Sequence, residues 1–137
     1  MRYIIIGVAL LMFITGCSSE IQKKIPQENE VNIMHTAIGN PTADEVLTKY
    51  KQTDIFLMNG IVYVNAEEID WVKDLELTIG KEVMEISSQS NKGEDFIEGT
   101  ASTLPIGTKI YKPIEKGDIY IAIINGKEIR YLGWREG

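Results

Sequence analysis

Two Asn-Gly dipeptides, each set between β-prone runs, most constrain what this chain can fold into. Asn59-Gly60 divides Ile55-Phe56-Leu57-Met58 from Ile61-Val62-Tyr63-Val64, and Asn125-Gly126 divides Ile119–Ile124 from Lys127–Leu132. A type I′ turn needs positive φ at both central residues, which Asn and Gly adopt at low cost, and its twist matches that of the strands it joins. Both segments are therefore read as hairpins. A two-residue loop also fixes register, setting Phe56 opposite Tyr63, Tyr120 opposite Tyr131 and Ala122 opposite Ile129. The first hairpin is apolar on both faces and is expected to be central. The second alternates charge with bulk over Lys127, Glu128, Ile129, Arg130 and Tyr131, and is expected near a sheet edge.

The segments between the hairpins are read from spacing. Thr42 and Glu45 stand as a capping box ahead of Ala43, Val46, Leu47 and Tyr50, one apolar stripe on a helix of about ten residues. Asn65 and Glu68 repeat the capping pattern before a second short helix that turns Ile69 and Val72 inward, with Trp71 and Leu75 as further candidates. Leu75 to Ile79 alternates like a strand, Glu82 to Ser87 is a further candidate after Gly80-Lys81, and Ser88 to Gly99 is polar enough to be an exposed loop. Thr108 to Lys112 follows the Pro105-Ile106-Gly107 turn as another strand. The expected domain, residues 42–137, is α+β: a small antiparallel sheet of about five strands, carrying the two Asn-Gly hairpins, with one or two short helices.

Ahead of it lie a short apolar run and a polar stretch. Arg2 is followed by 12 apolar residues from Tyr3 to Ile14. That is the layout of an export signal, and it is too short for a spanning helix of roughly 20 residues. The run ends in Ile14-Thr15-Gly16-Cys17, which resembles the lipobox of bacterial lipoproteins. The resemblance implies a signal peptide over 1–16, cleavage between Gly16 and Cys17, and diacylglycerol on the Cys17 thiol. Each buried CH2 is worth about 0.8 kcal/mol, so two acyl chains hold a protein on a bilayer where one barely does. Residues 17–41, the lipidated Cys17 and a flexible tether, are too polar overall to repay ordering. Within them Val31 to Met34 form an apolar patch able to add an edge strand or dock, and His35 is read as solvated. The tether, about 24 residues long, has a root-mean-square reach of roughly 25–30 Å. The runs Phe56 to Val64, Leu104 to Tyr111 and Ile119 to Leu132 resemble small uncharacterised lipoproteins of low-GC Gram-positive bacteria, a similarity spanning most of residues 45 to 135. It implies a fold and an extracytoplasmic address at the cell membrane, and no activity.

Chemistry is sparse in this sequence. Removing the first 16 of 137 residues leaves 121, with 13 Lys and Arg against 20 Asp and Glu. Such an acidic surface repels phosphates and disfavours nucleic acid as a partner. Once Cys17 is acylated no thiol remains for a disulfide or a thiolate metal site. No phosphate-binding glycine loop, HExxH or calcium loop is present, so neither a metal nor a cofactor beyond the covalent lipid is expected. His35, the only imidazole, lies in the tether, so a Ser-His-acid arrangement would need the linker to fold back over the domain. Two acidic clusters, Glu67-Glu68-Asp70-Asp74 and Glu94-Asp95-Glu98, are the only material for carboxylate-dependent hydrolysis; they are better read as helix N-terminal acids and loop polarity. Trp71 and Trp134, with Tyr111, Tyr120 and Tyr131, are read as core and sheet-face residues. Trp134, after Gly133 near a charged terminus, is the candidate contact point for a partner.

These readings lead to a lipid-anchored module without catalysis that binds another envelope protein in an accessory, inhibitory or exclusion role. The alternative is a lipoprotein that binds or senses a small ligand. A two-lobed transport receptor is not easily built from 121 residues, so any pocket is expected to be small and within one sheet.

Overall fold

The computed structural model describes residues 39–115 and 117–136. The expected signal peptide, Cys17, the tether and His35 lie outside them. Among the described residues the domain is mostly sheet: β1 (Ile55–Met58), β2 (Ile61–Asn65), β3 (Ile79–Glu85), β4 (Ser88–Gln89), β5 (Thr100–Ala101), β6 (Lys109–Pro113), β7 (Ile119–Ile124) and β8 (Lys127–Gly133) lie in the order β3-β6-β7-β8-β2-β1-β5-β4, with two short helices. This corrects the expected α+β fold with an antiparallel sheet of about five strands. The sheet is mixed, because β4 (Ser88–Gln89) runs parallel to β5 (Thr100–Ala101).

The hairpins anchor this arrangement. β1 (Ile55–Met58) and β2 (Ile61–Asn65) pair with Phe56 opposite Tyr63. β7 (Ile119–Ile124) and β8 (Lys127–Gly133) pair with Tyr120 opposite Tyr131 and Ala122 opposite Ile129. Asn59 (φ 53°), Gly60 (φ 70°), Asn125 (φ 50°) and Gly126 (φ 77°) all adopt the positive φ that a type I′ turn demands. The second hairpin, however, is not at an edge. β8 pairs with β2, and β7 pairs with β6 (Lys109–Pro113), so both strands are interior. Its charges are accommodated locally: Arg130 Nη1 donates to the carbonyls of Val72 and Lys73, and the Arg130 N–H donates to Glu67 Oε1 at 2.9 Å.

Alternation along the strands makes the sheet two-sided. Phe56, Met58, Ile61, Tyr63, Ala101, Ile110, Ala122 and Tyr131 face one cluster, joined by Met84 from β3 (Ile79–Glu85). Phe56 and Ile110 are four places apart in the strand order yet share that cluster, so the sheet is curled into a half-barrel around it. Its centre is aromatic. Phe56 lies 5.1 Å from Tyr63 and 5.0 Å from Tyr131, and Tyr63 meets Tyr120 edge-on at 5.0 Å. The outer face of the first hairpin, Ile55 and Val62, is covered by Ala43 and Val46 of α1 (Ala43–Lys49). The capping box forms as its spacing predicts, with Thr42 N–H donating to Glu45 Oε2 at 2.7 Å and Glu45 N–H to Thr42 Oγ1 at 3.3 Å. α1 is seven residues long rather than ten.

The middle third differs most from expectation. α2 (Asp70–Lys73) is a single turn preceded by Ile69, which offers no side-chain cap. Asn65 serves elsewhere, accepting from Glu67 N–H at 2.9 Å and donating to Asp54 Oδ2 at 2.9 Å. β3 begins only at Ile79 and carries two register shifts against β6, between Ile79 and Glu82 and between Glu82 and Met84. A one-turn 3-10 helix over Gly93–Asp95 interrupts the polar loop and packs on α1, where a Cβ at Gly93 would run into the Asp44 backbone.

The two edge strands are neighbours in sequence. β3 ends at Glu85 and β4 begins at Ser88, yet they occupy opposite ends of the strand order. Between them the buried Ile86 donates to Thr108 O at 2.8 Å, on the β6 side, and Ser87 donates to Gly99 O at 2.9 Å, on the β5 side. One bent segment therefore belongs to both margins. Bulges on β3 and the two-residue length of β4 blunt what remains of each edge.

Candidate functional site

The carboxylates named from sequence are dispersed into structural duties. Glu98 accepts from the N–H groups of Asn59 and Gly60, both at 2.7 Å, and so closes the first hairpin turn. Asp95 accepts from Ser90 Oγ at 2.9 Å, and Glu94 is exposed. Glu68 and Asp70 each stand 3.8 Å from Lys73 Nζ on open surface, a spacing worth little in water. Among the described residues no three His, Cys, Asp or Glu side chains gather in a way that would hold a metal ion.

Asp54, which sequence reasoning passed over, stands at the centre of a polar cluster. It precedes β1, and its Oδ2 accepts from Tyr131 Oη at 2.7 Å and from Asn65 Nδ2 at 2.9 Å. Oδ1 is buried and has no hydrogen-bond partner among the described residues. A buried acceptor left bare costs about 1–3 kcal/mol. Burial, and then the adjacent Asp54 charge, push the Tyr131 hydroxyl far above the ordinary tyrosine range. It is held as a donor.

A cleft of about 500 Å3 opens beside this cluster across three neighbouring strands. Thr53 and Asp54 supply the side at the start of β1, Val64 and Asn65 the end of β2, and Lys127 and Ile129 the start of β8. Glu67 and Glu68 close it. The walls are thus partly apolar and carry more acidic than basic groups. No motif in the sequence marks this site; its residues are brought together only by the pairing of β1, β2 and β8.

A second feature is apolar and exposed. α2 turns Val72 into the core and leaves Trp71 55% exposed, with Leu75 (37%) and Ile79 (36%) following along the chain. Ile114, 72% exposed, is tied to this run through its N–H, which donates to Thr78 O at 3.0 Å. Trp71 is therefore the open indole. Trp134, the contact candidate from sequence, is partly buried: its ring centroid is 5.6 Å from that of Tyr50, and its backbone N–H donates to Val62 O at 2.8 Å. It packs α1 against the sheet together with Leu47 and Val64. Among the described residues no helix is long and apolar enough to cross a membrane.

Comparison with protein-family models, with curated proteins and with solved structures finds no match to this chain.

Proposed function

We propose that this protein is an extracytoplasmic module, held at the cell membrane by diacylglycerol on Cys17, that works by binding another envelope protein rather than by catalysis. The lipobox-like Ile14-Thr15-Gly16-Cys17 supports the anchor. The exposed run of Trp71, Leu75 and Ile79 beside Ile114 is the single observation that carries the binding role. Large apolar side chains left in water mark contact sites where they gather, and tryptophan is prominent among the residues that dominate such contacts. The acidic balance of the chain disfavours nucleic acid as that partner.

The test places a photoreactive amino acid at position 71 or 114 in the full chain on intact cells. Recovery of one common envelope protein from both positions supports the reading; crosslinks from neither, while both variants reach the membrane, end it. Cys17→Ser tests the anchor separately, because the variant should lack the mass of the diacylglycerol and should not be cleaved between positions 16 and 17.

A second reading, small-ligand binding or sensing, is favoured by the cleft beside Asp54.

A further inference from the structure

We propose that the cleft between the start of β1, the end of β2 and the start of β8 binds a small organic cation through a primary ammonium group, with Asp54 as its principal acceptor. This rests on the ligand-binding reading and is independent of the apolar run at Trp71. Asp54 is already oriented, since Tyr131 and Asn65 hold its Oδ2 at 2.7 and 2.9 Å, and its buried Oδ1 has no partner among the described residues. Asp54 lines the cleft, and a donor that displaces the cover over Oδ1 from that side supplies the bond that the fold leaves unmade. A carboxylate that receives an ammonium makes a charge-assisted bond, stronger than a neutral one.

The rest of the lining matches an organic cation. Among the lining side chains Asp54, Glu67 and Glu68 outnumber Lys127, and even with Lys73 standing 3.8 Å from Glu68 the acids remain in excess, so the local field favours positive charge. Glu67 is fixed because its Oε1 accepts from the Arg130 N–H at 2.9 Å. Thr53 Oγ1 donates to Tyr50 O at 2.6 Å and keeps lone pairs able to accept. Val64 and Ile129 provide apolar wall for a short alkyl segment. A metal ion fits less well: no three metal-ligating side chains converge among the described residues, whereas an ammonium needs one charged acceptor and a few neutral ones. The volume of about 500 Å3 lies within the usual range for small-molecule sites.

The experiment is a titration of the purified full chain with 1,4-diaminobutane, followed by amide chemical shifts, with calcium chloride and sodium acetate as parallel titrants. The expected result is a saturable response to the diamine centred on residues 53–54, 64–68 and 127–129, with no saturable response there to calcium or acetate. Asp54→Asn keeps an acceptor for Tyr131 and removes the charge, and should weaken binding by about tenfold or more. Glu67→Gln keeps an acceptor for the Arg130 N–H and should weaken it by about threefold; it decides the matter if Asp54→Asn does not fold. The proposal is overturned by a diamine response that is absent, does not saturate or maps elsewhere, by saturable binding of calcium or acetate at these residues, or by unchanged affinity in the variants that fold. Failure of crosslinking at positions 71 and 114 leaves it standing, and its own failure leaves the interaction reading standing.

Discussion

Tyr131, on the last strand, donates its hydroxyl hydrogen to Asp54 at 2.7 Å, tying β8 to the entry of β1 across the intervening β2. The pair sits where the aromatic centre of the half-barrel meets the cleft, because Tyr131 also places its ring 5.0 Å from Phe56. Tyr131→Phe keeps the packing and strips one more partner from a carboxylate that already has a bare oxygen. A loss of about 1–3 kcal/mol is expected, read from the midpoint of urea unfolding at unchanged slope. A midpoint equal to that of the parent chain would show that the bond contributes nothing.

Stability should decline in alkali earlier than lysine titration alone predicts. Burial, followed by the neighbouring Tyr120 and Asp118, raises Tyr63 from 10.0 to about 12, and Tyr131 is raised further. A raised folded-state pKa stabilises fully below the unfolded value and is lost as pH rises toward the folded one, because the unfolded chain releases the proton first. The window for Tyr63 is therefore pH 10 to about 12. Within it each such tyrosine should remove up to about 1.4 kcal/mol per pH unit, and Tyr63→Phe should flatten the slope. Denaturant midpoints across that range check this.

Gly93→Ala should be costly although the residue lies in a polar loop. The added methyl would meet the Asp44 backbone, so the 3-10 turn and α1 must separate. Overpacking of this kind costs about 1–3 kcal/mol. Gly117→Ala is the contrast: nothing lies within 4 Å of its new Cβ, and only its φ of 151° opposes the change. Thermal unfolding of the two variants should separate them.

Trp71→Ala and Trp134→Ala should behave in opposite ways. Trp71 is open to solvent and its removal should change stability by less than about 0.5 kcal/mol while reducing partner capture. Trp134 packs on Tyr50 and against the outer core, so its removal should cost about 2–4 kcal/mol and loosen α1. Unfolding midpoints with capture from intact cells distinguish the two roles. Equal destabilisation would mean that Trp71 is not the free surface that the proposed function requires.

What could be read from the sequence depended on the length over which a signal repeats. Asn59-Gly60 and Asn125-Gly126 fix a turn type and, with it, the register of ten or so residues, and the Phe56–Tyr63 and Tyr120–Tyr131 pairs follow. The Thr42–Glu45 cap works the same way. β4 and β5 are two residues each, too short for any alternation, so the polar stretch hid β4 and nothing after it marked β5. On β3 the two register shifts break the period-two pattern, so the expected strand over Glu82 to Ser87 captured only its second half. The charges of Lys127, Glu128 and Arg130 suggested an edge, but Arg130 lies over the end of α2, a contact with residues more than fifty positions away that no local pattern encodes. The cleft was hidden for the same reason: Asp54, Asn65 and Lys127 become neighbours only when β1, β2 and β8 assemble.

The bent segment through Ile86 and Ser87 gives the domain a hem. Fraying that begins at β3 pulls on β4 through a two-residue link, so the opening of one margin should favour the opening of the other. Amide protons at the two extremes of the strand order should therefore exchange together rather than as separate fringes. The two register shifts on β3 and the two-residue length of β4 also make each selvedge a poor template for a further copy.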